Sequence, residues 1–181
     1  MNKPRDYLTE QEAERLIHAA GQVGRNPHRD KAMILVAYTH GLRVSELVAL
    51  TWGHVHLDDG TIHINRAKNG VPSVHPLRGR EIRALRKIRR DNPYARHVFI
   101  SERKGPLTTR AVQHIVRRAG QKAGIDWPIH PHMLRHSCGY HHANNGQDTR
   151  AIQAYLGHRS IQHTVRYTQL APERFNNFWQ D

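Results

Sequence analysis

The 181-residue chain has one cysteine, Cys138, so no disulfide can form within it and a reducing compartment suits it. Acidic side chains are scarce: 15 Asp and Glu stand against 28 Lys and Arg, a formal charge of +13 with histidine neutral. No apolar run approaches the roughly 18 residues of a membrane-spanning helix. No leader pattern opens the chain, so a cytoplasmic protein without a membrane partner is expected. Repeats, low-complexity tracts and linkers are also lacking, and the length suits one core rather than two large ones. Residues 1–181 therefore read as a single domain. The sixteen histidines make pairs such as His54/His56 and His130/His132 expected by chance. Zinc sites usually want cysteines or carboxylates at set spacing, which are missing, so neither metal nor cofactor is expected.

What is present is positive charge along the whole chain, not confined to a tail. A folded domain with that excess seeks a polyanion, with nucleic acid the default and an acidic membrane surface the competitor. Thr9 to Glu12 reads as a capping box, with Leu8 as its staple and Ala13, Leu16, Ile17 and Ala20 at helical spacing behind it. A second, more buried helix runs from Asp30 to Gly41, and a short third covers residues 44–50. The period then changes. Residues 61–65 and 73–75 alternate around Asn69-Gly70, a small antiparallel hairpin, and residues 97–100 suggest a third short strand. Helical spacing returns in the very basic stretch 78–90, behind a Thr108 or Thr109 cap, over 131–145 with Pro131 at its start, over 149–156, and over 164–169. The fold class is α+β, mostly α, with a small antiparallel sheet.

Four stretches carry candidate chemistry: His40-Gly-Leu-Arg-Val-Ser-Glu-Leu47; the hairpin with Lys68; His130-Pro-His-Met-Leu-Arg-His-Ser137; and Leu156-Gly-His158 with Tyr167. His132 and Arg135 are three apart and share a helix face. His158 follows a helix-stopping glycine, at a turn where side chains are readily exposed. Singly, each also suits a solvated face or ordinary packing; Arg43 alone would serve as a cation at the end of the preceding helix.

Together they resemble the catalytic domain of the tyrosine recombinases, the phage-integrase family, over residues 8–178, and within it the short fimbrial phase-variation invertases. The shared wording includes His-Pro-His-Met-Leu-Arg-His-Ser-Cys-Gly at 130–139 and Tyr-Leu-Gly-His-Arg-Ser-Ile at 155–161. The resemblance implies six site residues: Arg43, Lys68, His132, Arg135, His158 and Tyr167. Physical chemistry agrees with it. Attack on a DNA phosphodiester builds charge on two non-bridging oxygens, which two guanidiniums, Arg43 and Arg135, can clamp. Tyr167 is the nucleophile; its ordinary pKa of about 10 requires nearby cations. His132 is a reasonable acceptor of its proton, and His158 can donate to a phosphate oxygen. In the family the hairpin lysine, here Lys68, protonates the leaving 5′-oxygen. Glu46 orients Arg43 or holds the fold, and His136 points elsewhere on its helix. The implied outcome is a 3′-phosphotyrosyl link and metal-independent, ATP-independent rejoining that inverts, excises or integrates a segment.

Most relatives carry a separate N-terminal helical domain, and this chain starts almost at the catalytic one. Binding should then rest on phosphate contacts and be salt-sensitive. The expected partners are double-stranded DNA with inverted-repeat sites, a homo-oligomer (a tetramer) on that DNA, and accessory DNA-bending proteins; the setting is the nucleoid. Phe175, Phe178 and Trp179, in the tail 172–181, are expected to dock on a neighbouring protomer or in cis. A catalytically silent DNA-binding regulator and a type IB topoisomerase-like relaxase are the competing readings.

Overall fold

The computed structural model describes residues 5–169, 171–176, 178 and 179. Among the described residues, eight helices and a small sheet follow in the order α1 (Glu10–Ala20), α2 (Pro27–His40), α3 (Val44–Val48), β1 (Val55–His56), β2 (Thr61–Ile64), β3 (Ser73–Pro76), α4 (Gly79–Asp91), α5 (Thr109–Lys122), α6 (Pro131–Asn144), α7 (Thr149–Leu156) and α8 (Gln162–Thr168). Short 3-10 turns lie at Trp52–His54 and Pro172–Phe175.

The capping box forms as spelled: Glu12 N donates to Thr9 Oγ1 (3.2 Å), and the Glu12 carboxylate accepts from Thr9 N (2.8 Å). Helix α2 starts earlier than its apolar run, because Pro27 supplies a first-turn residue that needs no donor. Residues 32–38 of α2 are all buried, so it is the central helix, packed by α1, α4 and α6. Helix α3 stops at Val48, two residues short of its apolar pattern, and α8 begins at Gln162, two residues before Thr164.

The sheet differs from expectation. Its order is β1-β2-β3, antiparallel throughout, with Ile62 opposite His75 and Ile64 opposite Ser73. Residues 97–100 are not its third strand. His97 bridges Thr51, Ile100 bridges Pro106, and Val98 N donates to Leu50 O, so this segment satisfies its backbone on loops. The third position goes to the two-residue β1, too short to display a period. The turn in the β2–β3 loop is centred one residue earlier than Asn69-Gly70. Lys68 and Asn69 have φ of 53° and 58°, and Gly70 N donates to Ala67 O, as in a type I′ turn.

Buried apolar residues form two clusters. The large one joins α1, α2, α5 and the sheet. The small one gathers Cys138, Ala143, Ile152, Leu156, Tyr167 and Ala171 beneath α6, α7 and α8. At seven residues, α8 cannot hold itself as a helix in water; its packing on α6 and α7 holds it.

Candidate active site

Two helices end side by side. Helix α2 closes on Gly41 and α7 on Gly157, both left-handed (φ 61° and 71°). Their last carbonyls lack helical partners and carry the negative end of each helix dipole. Two buried arginines satisfy them. Arg135 Nη1 donates to Gly41 O (2.6 Å) and its Nη2 to Leu156 O (3.0 Å). Arg66 Nη2 donates to His40 O (3.1 Å) and Tyr155 O (2.7 Å), and its Nη1 to Gly41 O (3.2 Å) and Glu46 (2.9 Å).

Glu46 is the hinge of this frame. Its carboxylate accepts from Arg43 N (2.9 Å), Arg43 Nη1 (3.0 Å), Arg66 Nη1 and Ala67 N (3.0 Å). Burial disfavours its ionisation, but the Arg66 charge and the N–H groups of Arg43 and Ala67 prevail and hold the carboxyl below its ordinary value. Arg43 is thereby aimed by Glu46. Burial, followed by the charges of Arg43 and Arg66, lowers the Arg135 guanidinium to about 10. Three guanidiniums thus face one carboxylate, a local excess of positive charge that an incoming phosphate would relieve.

His158 stands in the turn just past Gly157. Its Nδ1 lies 2.8 Å from the hydroxyl of Thr164, which is fully buried. If that hydroxyl donates to Nδ1, the ring proton sits on Nε2, free to donate outward. Burial, then the neighbouring Arg135, pushes the imidazole down to about 3, so the ring is neutral.

Lys68 is exposed at the tip of the β2–β3 loop. The loop is docked on the His158 turn: Val71 N donates to Gly157 O (2.9 Å) and Arg159 Nε to Asn69 O (2.7 Å). This close approach needs glycine. A Cβ on Gly157 would lie 2.5 Å from Arg66 Cγ and 2.7 Å from Val71 O.

Tyr167, on α8, is 2% exposed. Its ring lies on Gly139, where a Cβ would meet it at 2.7 Å. Burial raises the phenol to about 12, against the lowering charges of Arg166 and Arg135. Its hydroxyl is 2.8 Å from His136 Nδ1. His136 therefore does not point elsewhere, and His132 is not the residue on the phenol. His132 is exposed in the first turn of α6, with its ring edge-on to His136 at 4.3 Å. Burial of part of its ring, then the Arg135 charge, lowers its pKa.

The fold thus gathers Arg43, Arg135, His132, His158 and Tyr167 around the ends of α2, α6 and α7, and docks the Lys68 loop beside them. Two residues went unrecognised in the sequence, and a third, His136, was read as facing elsewhere. Arg66 lies two residues past β2 and looks like any of 28 basic residues. Thr164 is an ordinary helix threonine. His136 had a signal, since it is four residues after His132 and must share its face.

Residues 6–174 match the model of a protein family described as the phage integrase family. The chain is 43% identical over 183 residues to the type 1 fimbriae regulatory protein FimB of Escherichia coli K12, covering 98% of this chain and 91% of that protein. It is 36% identical over 174 residues to tyrosine recombinase XerD of Ralstonia nicotianae, covering 92% of this chain and 56% of that one. In structure it resembles the XerA recombinase, with a TM-score of 0.84, 30% identity and coverage of 100% of this chain and 66% of that one.

Proposed function

The chain belongs to the phage integrase family, and on that premise we propose how its site works as a tyrosine-type, site-specific DNA recombinase. The enzyme cleaves and rejoins DNA strands. The observation that carries the reading of the site is the frame of Arg43, Arg66 and Arg135 around Glu46, with Tyr167 seated one helix away inside the field of Arg135.

The scissile phosphate binds to the free donors of Arg43 and Arg135, whose grip strengthens as charge develops on the oxygens. His158, fixed by Thr164, donates to one of them, and His132, beside the arginines, completes the pocket. Tyr167 attacks phosphorus and Lys68 protonates the departing 5′-oxygen. Lys68 sits on a docked loop, so it is presented from the same side as His158. The phenol oxygen must be uncovered before it meets DNA. That requires opening the cover over the oxygen, with the arginine frame and the His136 contact left intact.

The substrate is double-stranded DNA bearing inverted-repeat sites, on which the protein assembles as a tetramer with accessory bending proteins in the nucleoid. Exposed Arg83, Arg86, Lys87, Arg89 and Arg90 of α4 offer further phosphate contacts. Phe175, Phe178 and Trp179 are 48%, 70% and 88% exposed, which supports docking of this tail on a neighbouring protomer; residues 177, 180 and 181 of the tail lie outside the described residues.

A nicked substrate that loses its 5′ fragment on cleavage tests the reading, because the covalent adduct then accumulates. Wild-type protein is expected to form an adduct that survives denaturation, and Tyr167→Phe none. DNA binding without any adduct would make the protein a silent regulator. Adducts with relaxation but no junction products would make it a relaxase.

A further inference from the structure

The groups around Tyr167 form a chain that the arginine frame does not explain. Its hydroxyl meets His136 Nδ1 at 2.8 Å, and on the far edge of the same imidazole Nε2 lies 3.9 Å from Asp6 Oδ2. Asp6 is itself fixed, since the same oxygen accepts from Arg166 Nη2 at 2.8 Å, and Arg166 precedes the tyrosine on α8. The segment carrying Asp6 is pinned to α6 by the two residues that follow it. Tyr7 stacks on Tyr140 with ring centroids 4.0 Å apart, and Leu8 N donates to Ser137 Oγ at 2.8 Å. Nucleophile, imidazole and carboxylate therefore stand in the order that activates a weak hydroxyl: a base in hydrogen-bond reach of it, with a carboxylate 3.9 Å beyond the far ring nitrogen.

We propose that His136 takes the proton from Tyr167 during attack, and that Asp6 is the positioning residue that keeps Nδ1 turned toward the phenol. This rests on the recombinase reading above. The O–H bond of Tyr167 breaks, its proton passes to Nδ1, and the oxygen keeps the electron pair that forms the new O–P bond. The bond from phosphorus to the 5′-oxygen breaks, and that oxygen leaves with its pair and a proton from Lys68. In rejoining, His136 returns the proton to the phenol. A hydroxyl that donates its hydrogen bond to Nδ1 keeps its lone pairs free for phosphorus. The groups facing His136 are His132 and Arg135 from α6, Arg166 from α8 and Asp6 from the N-terminal segment. Burial and the first three disfavour the imidazolium, and Asp6 alone among them favours it.

The test is the single-turnover rate of adduct formation on the nicked substrate at saturating protein, with DNA affinity measured separately. His136→Asn keeps an acceptor near the Nδ1 position but no basic nitrogen. It is expected to slow the adduct about 10²–10⁴-fold with affinity unchanged. His136→Ala is expected to be rescued by added imidazole at constant ionic strength, with the rate rising with imidazole concentration. Asp6→Asn is expected to lose roughly tenfold, and Asp6→Glu to recover it. His136→Asn cleaving at or above the wild-type rate would overturn the proposal, leaving the contact as a latch that stores the tyrosine; so would a slow His136→Ala indifferent to imidazole. Failure of the wild-type protein to form any adduct would instead sink the recombinase reading.

Discussion

Removing both the carboxylate and the buried guanidinium of the Glu46–Arg66 pair should cost clearly less than the sum of removing each alone. Their side chains are 3% and 0% exposed. Arg66→Met leaves His40 O and Tyr155 O without this donor and Glu46 without its strongest counter-charge; Gly41 O still has Arg135. Breaking a buried pair costs about 3–5 kcal/mol, and about 4 kcal/mol is expected here. Glu46→Gln turns an amide NH₂ toward N–H donors and strands the Arg66 charge, again about 3–4 kcal/mol. The double variant buries neither charge alone, so its loss should be about 5 kcal/mol instead of about 7–8, a coupling of about 2–3 kcal/mol. Urea unfolding of all four proteins at pH 7, compared at equal m-values, measures it. Single losses under about 1 kcal/mol, or strict additivity within about 0.5 kcal/mol, would refute the frame as drawn. There is also a pH signature. The folded Glu46 carboxyl lies below its unfolded value, so its stabilisation is full above that unfolded pKa and is lost as pH falls through the folded one.

Three more outcomes are expected. His75, His136, His142 and His158 are held neutral by burial, at about 3, 4, 4 and 3. Between those values and the unfolded pKa near about 6.5, the unfolded chain binds more protons, so stability falls as pH drops below that value, by up to about 1.4 kcal/mol per unit for each; a Tm that stays flat from pH 7 to 5 would contradict this. Gly157→Ala adds left-handed strain of about 1 kcal/mol to the Cβ contacts at 2.5 and 2.7 Å, and should undock the Lys68 loop, seen as faster proteolytic nicking within residues 65–72 and slower adduct formation. Lys68→Ala should slow cleavage about 10²–10⁴-fold, and a substrate whose leaving 5′ atom is sulfur, a far weaker base, should restore the rate; no restoration would remove the lysine from the acid role.

Much was legible in the residues before any coordinates. The helix starts at Thr9, Thr108 and Pro131 and the stops at Gly41 and Gly157 are local chemistry: a side-chain oxygen for an orphan N–H, a ring that needs no donor, a residue without Cβ at positive φ. The motifs around Arg43, Arg135, His158 and Tyr167 carried the family for the same reason, since phosphoryl transfer demands particular side chains in a particular order. Tertiary structure alone decided which backbone partners residues 97–100 would find, because a short apolar run bonds to whatever unpaired edge the fold brings near it. It also decided that Arg66 and Glu46 are the frame of the site. A charge becomes structural only when distant helix ends converge on it and water is excluded, and no local pattern encodes that convergence. The partner of the phenol was decided in the same way: spacing puts His132 and His136 on one face, and only the docking of α8 selects which of them Tyr167 meets.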